Sequence, residues 1–136
     1  MSTVRPTLSK KNPYHISKHR YYELKHFCLQ YPEWRNELLD TAPYIPSPKI
    51  FQEGKTGNFS DPTGEAAVRR QVLLGRMKLV EQAALGADAD LFPYILKAVT
   101  EDLSYTVLEM EYKIPCGKDM YYDRYRKFFW LLNKDR

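Results

Sequence analysis

Ser104-Tyr-Thr-Val-Leu-Glu-Met-Glu-Tyr-Lys-Ile-Pro-Cys-Gly-Lys-Asp-Met-Tyr-Tyr-Asp-Arg-Tyr-Arg-Lys-Phe-Phe-Trp-Leu-Leu132 reads as a short helix, a tight turn and a longer basic, aromatic helix. Leu108 and Tyr112 lie one helical turn apart and share a face, which predicts that both are buried. The chain leaves the first helix at Lys113, because Pro115 cannot continue it and biases the preceding residue towards extended backbone. Ile114 is then placed to plug the angle between the two helices. Cys116 or Gly117 opens the second helix, in which Tyr121, Tyr125, Phe128 and Leu132 recur at helical spacing, with Met120 and Leu131 at the edge of the same face. Lys118, Asp119, Tyr122, Asp123 and Arg126 fall on the other side.

Outward from this stretch the chain is built of helical segments. Ser17 is an N-cap candidate for a helix to about Gln30 that buries Tyr21, Leu24, Phe27 and Cys28 or Tyr31. Pro32 suits the first turn of a second helix, Glu33 to Leu39, with Trp34 and Leu38 inward. Asp61-Pro62 is a strong start signal for a long helix to Leu85, in which Ala66, Leu73, Met77, Val80 and Ala84 form one stripe and Gly86 is the stop. Arg69, Arg70, Arg76 and Lys78 make its other side basic. Asp90 is a cap candidate for a helix that tolerates Pro93 in its first turn and buries Leu91, Ile95, Leu96 and Val99. No segment alternates apolar and polar residues long enough for a sheet. The expectation is therefore an all-α fold: residues 1–15 a basic, flexible arm and 16–136 one helical domain. Within that domain 40–60 is a long loop rich in Pro and Gly, and 90–133 is the helix-turn-helix region.

A chain of 136 residues is long enough for one domain with a real core, and 43% hydrophobic content is far from a disordered composition. The net charge of +4 is unevenly spread: residues 1–31 carry net +5, residues 112–136 net +4 and residues 81–111 net −6. Basic ends around an acidic middle point to one surface for a polyanion and another for solubility or a basic partner. Two cysteines outside any C-x-x-C pair argue against a disulfide framework. With no apolar run of membrane-spanning length and no signal-peptide core, the expected location is the cytoplasm and no membrane partner is implied.

Signals for catalysis are weak. Gly54-Lys55-Thr56-Gly57 resembles the end of a phosphate-binding loop, but Lys49 stands where its first glycine belongs and Pro46 and Pro48 interrupt the required strand. His15, His19, His26 and Cys28 lack the spacing of a zinc site. Cys116, near a helix start, is the one thiol whose pKa could be lowered. No metal, no cofactor and no enzymatic activity are expected.

The 104–132 segment resembles the I-A-x-x-L-G-I-S-x-x-T-V pattern of the DNA-reading C-terminal domain of bacterial sigma factors and of RinA/ArpU-type late-gene regulators of Firmicutes prophages. Leu108, Tyr112, Ile114 and Met120 take the positions of its first Ile, Leu, second Ile and Val. Glu109 replaces its small Ala, Lys113 its turn Gly, and Pro115 lengthens the turn by one residue. The whole chain, including the opening Asn-Pro-Tyr-His-Ile-Ser-Lys-His-Arg, is similar to proteins of clostridial prophages. This resemblance implies a phage or prophage transcriptional regulator that reads duplex DNA with its last helix. Lys118, Tyr122 and Arg126 are then the base-side or backbone contacts, and Lys113, Lys127, Lys10, Lys11, Lys18 and Arg20 contact phosphates. Two alternatives stand beside it: a protein-interaction module, such as an inhibitor of a host enzyme or an RNA polymerase adaptor, and a DNA-packaging recognition subunit.

Overall fold

A computed structural model describes residues 13–41 and 62–136, and all its regular structure is helical. Its helices are α1 (Lys18–Leu29), α2 (Tyr31–Thr41), α3 (Pro62–Ala87), α4 (Phe92–Glu101), α5 (Tyr105–Tyr112) and α6 (Lys118–Asp135). No strand occurs among the described residues. The 40–60 loop, apart from its first two residues, the Gly54–Gly57 stretch, and Lys10 and Lys11 of the N-terminal arm lie outside them.

Local chemistry sets the helix ends. Ser17 caps α1 by accepting from the Arg20 N–H at 3.4 Å, and Ser104 caps α5 by accepting from the Val107 N–H at 3.3 Å. Each satisfies a backbone donor that the first turn leaves without an intrahelical partner. Pro62 opens α3, where its missing N–H removes no helical bond. At the end of α4, Asp102 turns into the left-handed region (φ 58), and the Leu103 N–H donates to the Ala98 carbonyl at 3.0 Å. This is the 6→1 closure of a Schellman cap, made here without glycine.

Gly86 does not stop α3, contrary to the sequence expectation: the helix runs through it to Ala87. A Cβ on Gly86 would stand 3.2 Å from Leu131 Cδ1, so this glycine allows α6 to approach closely. The stop comes from Asp88, whose carboxylate accepts from the N–H groups of Asp90 and Leu91 at 2.9 and 3.1 Å and turns the chain into α4. Asp88, rather than Asp90, is the capping side chain.

The core is one cluster. α4 and α6 lie between α1 and α3, α2 packs on α1, α3 and α4, and α5 packs on α4. Leu24, Leu73, Val80, Leu91, Ile95, Leu108, Tyr121, Phe128, Phe129 and Leu132 are fully buried within it. Phe27 meets Trp34 edge-on at 4.9 Å between ring centres, joining α1 to α2. The Tyr31 hydroxyl donates to the Glu81 carboxylate and joins α2 to α3. The arginines of α3 do not form a separate basic side: Arg69 pairs with Glu37 at 2.8 Å and Arg76 lies over the Trp34 ring at 5.8 Å.

The acidic middle and the basic C-terminus partly neutralise each other, because Arg124 Nε donates to Asp88 at 2.9 Å. Burial pushes the Asp88 carboxyl up, but the Arg124 guanidinium and the two backbone donors outweigh it and hold the group below its ordinary value. A carboxyl whose folded pKa is depressed stabilises the fold above its unfolded pKa, and that contribution is lost as pH falls through the folded value. Asp88→Ala removes three hydrogen bonds at once and should cost about 1–3 kcal/mol at neutral pH. Thermal melts should show the gap between wild type and variant narrowing as pH drops below the carboxylate range.

Candidate nucleic-acid interface

The turn between α5 and α6 has the predicted course. Lys113 leaves α5 in the left-handed conformation (φ 53), which glycine adopts without steric cost, and its N–H still donates to the Glu109 carbonyl at 3.2 Å. Ile114 follows, is only 6% exposed, and donates its N–H to the Leu108 carbonyl at 3.2 Å. Gly117 is the N-cap of α6, and the Tyr105 hydroxyl, donating to the Cys116 carbonyl at 2.7 Å, holds the turn against the start of α5. The Cys116 thiol is pushed up, by burial first and the Asp88 charge second, so the helix start does not activate it.

Two expected core positions lie outside. Tyr112 is 39% exposed and lies under the Lys97 ammonium, 5.0 Å from the ring centre. Met120 is 42% exposed. Phe129, which the expected face omitted, is buried against Tyr21, Tyr125 and Phe128, with ring centres 4.8–5.1 Å apart. The burial of Phe129 follows from the packing of α6, which meets α1 on one side and α3 on another, so its apolar surface is wider than a single stripe. From Tyr121 to Asn133 no residue of α6 is fully exposed.

This geometry divides the candidate contacts into two groups. Lys113 and Lys118 are exposed at the turn. Tyr122 is half-buried and edge-on to Tyr121 at 5.0 Å. Arg126 and Lys127 are also half-buried; the Arg126 guanidinium lies 3.9 Å from Asp123, and its Nε is buried without a hydrogen-bond partner. The second group lies at the other end of α6, fifteen residues and roughly 22 Å along the helix axis. There Arg20 Nε donates to Asn133 Oδ1 at 2.6 Å, and its other arm donates to Glu23 at 2.7 Å. Lys18 is exposed at the first position of α1, two residues before Arg20.

The structure adds residues to this second group. Tyr14 packs on Trp130 with ring centres 5.4 Å apart, and the Lys134 ammonium lies 3.8 Å from the Trp130 ring centre. His15, Lys18 and His19 are exposed in the sequence that follows Tyr14, and no acidic residue occurs from Tyr14 to Tyr22 or from Arg124 to Lys134. The result is a basic, aromatic patch assembled from the start of α1 and the end of α6. Sequence reading marked Lys18 and Arg20 but not Lys134, because the α1–α6 contact is long-range. The signal within reach was the acid-free run of Arg124, Arg126, Lys127 and Lys134.

Among the described residues no three His, Cys, Asp or Glu side chains converge as a metal site would require, and no helix is long and apolar enough to cross a membrane. Cys28 is buried and burial pushes its thiol far up. Comparison with protein-family models, with curated proteins and with solved structures gave no match.

The turn geometry is tested by a pair of substitutions. Ile114→Asp places a carboxylate in an apolar site and should cost several kcal/mol, whereas Met120→Asp, one helical turn into α6, should change stability by about 0.5 kcal/mol or less. Circular dichroism melts that show equal losses for both would contradict the burial described for this turn.

Proposed function

We propose that this protein binds duplex DNA and acts as a prophage-type transcriptional regulator. The observation that carries the reading is the basic aromatic patch at the junction of α1 and α6, where Arg20 bonds to Asn133 and Tyr14 packs on Trp130 across more than a hundred residues of sequence, Lys134 lies over the Trp130 ring, and Lys18 is exposed at the start of α1. Lysine ammonium groups held near one another at a surface gain by displacing counterions from a phosphate backbone, and this term supplies most non-specific affinity. Lys10 and Lys11, outside the described residues, add two further basic charges in the sequence before Tyr14. Lys113 and Lys118 form a second contact at the turn, and Tyr122, Arg126 and Lys127 lie between the two groups.

The burial of α6 shifts emphasis within this reading. A helix that reads base edges presents a free face to the major groove, with its N-terminal residues leading. In α6 the exposed residues are at the two ends, Lys118 to Met120 and Lys134 to Asp135. Backbone contact therefore supplies the larger part of the interaction, and base reading falls to the first turn of α6.

Fluorescence anisotropy with a labelled duplex should show binding that weakens steeply with salt, the logarithmic slope being about −0.9 for each phosphate neutralised. Lys18→Ala and Lys134→Ala should each reduce that slope by about one phosphate and leave the melting temperature nearly unchanged. Absence of binding at micromolar protein in low salt would exclude the reading.

A further inference from the structure

We infer that Trp130 and Phe27 are positioning residues for the cations with which the end of α6 meets phosphate, Trp130 holding Lys134 and Phe27 holding Arg136. The inference rests on the proposed DNA binding and names how that surface is prepared for it. Cations on this protein are held in two ways. Arg20, Lys25, Arg69, Lys97 and Arg124 each lie 2.7–3.4 Å from a carboxylate, those of Glu23, Asp102, Glu37, Glu101 and Asp88. A carboxylate cancels the charge it restrains, so a further anion gains little from these groups. Lys134 and Arg136 are exposed and pair with no carboxylate among the described residues; Asp135, between them in sequence, is exposed and pairs with neither. Each lies instead over a ring. The Lys134 Nζ is 3.8 Å from the Trp130 ring centre, and the Arg136 Cζ is 4.1 Å from that of Phe27. The other cation–ring pairs among the described residues are looser, at 5.0–5.8 Å.

A ring restrains a cation without discharging it. The attraction comes from the ring quadrupole, and the ring has no net charge, so the field of the cation still reaches an approaching phosphate. An ammonium has three N–H groups and a guanidinium five, more than one ring face engages, which leaves donors for phosphate oxygens. A lysine or arginine free in solvent has about 2 kcal/mol of rotamer entropy to lose when its charge is fixed against a partner. One already restrained loses less, and its contact is stronger by the difference. The rings must themselves be fixed for this to hold. Trp130 is half-buried and packs on Tyr14, while Phe27 is 6% exposed and meets Trp34 edge-on. Arg20, bonded to Asn133, ties the same last turn of α6 to α1. Lys134 and Arg136 therefore stand two residues apart in the chain on supports that belong to the folded body.

Anisotropy with a labelled duplex in low salt, on Trp130→Leu, Lys134→Ala and the double variant, tests the role of Trp130. Trp130→Leu should weaken binding by about two- to fivefold while Lys134 is present, the size of an exposed cation–ring contact. It should have no effect in the Lys134→Ala background, and Trp130→Phe should keep most of the affinity. A packing role alone would weaken both backgrounds equally. Without nucleic acid, the proton resonance of the Lys134 ε-methylene should lie upfield of that of a free lysine and return to it in Trp130→Leu. Arg136→Met keeps an apolar cover over Phe27 and removes the charge, so the salt slope should fall by about 0.9 with the melting temperature nearly unchanged. The wild-type Lys134 resonance and Arg136→Met carry the test if Trp130→Leu fails to fold. Equal losses in both backgrounds, an unshifted Lys134 resonance, or an unchanged slope in Arg136→Met would each overturn the inference and leave DNA binding standing. A wild-type protein that binds no duplex at micromolar concentration overturns the proposed function, and this inference with it.

Discussion

Leu131 reaches the backbone of α3 at Gly86, and around that contact Phe128, Phe129 and Leu132 are withdrawn from water between α1 and α3. Large aromatic side chains bury more apolar area than any other residue type, so the placement of α6 governs the remaining helices. α1 is held to it by the Tyr21 and Tyr125 hydroxyls, 2.7 Å apart, and by Arg20 on Asn133. α3 is held to it by Arg124 on Asp88, the residue that also ends α3 and directs the chain into α4. One helix therefore fixes both the core and the turn in front of it. On α6 itself the exposed residues are those at its two ends.

The same constraint explains how much could be read in advance. Helix starts were legible because they are local: Ser17, Pro62 and Ser104 act on donors within their own first turns. The all-α class followed from apolar spacing alone. Positions that depend on distant neighbours were not legible. Gly86 has the composition of a helix stop, and only the proximity of Leu131 shows that it serves packing. Tyr112 has the period of a core residue but is exposed, with the Lys97 ammonium of α4 over its ring. Phe129 was omitted because a single stripe assumes one neighbouring helix, and α6 has two. The arginines of α3 have the spacing of a basic side, but Glu37 and Trp34 of α2 occupy Arg69 and Arg76.

The proposed interface shows a related limit. Lys18 and Arg20 were recognised as basic residues near the start of the chain, while Lys134 and Trp130 belong to its end, and nothing local relates the two. Arg20 meets Asn133, and Tyr14 meets Trp130, through the crossing of α1 and α6, a contact between segments more than a hundred residues apart. Charge runs in sequence report which residues are available to a polyanion. Geometry decides which of them already have a charged partner: Asp88 and Asp123 occupy Arg124, while Lys134 is exposed over the Trp130 ring.

The two thiols lie in contrasting surroundings. Cys28 is sealed in the core, while Cys116 is half-buried in the turn before α6. A thiol-specific reagent therefore meets two barriers in one molecule: local loosening of the turn admits it to Cys116, and only wholesale opening of the bundle admits it to Cys28. The chain carries an internal pair of clocks, one timed to the motion of a single connection and the other to the life of the fold.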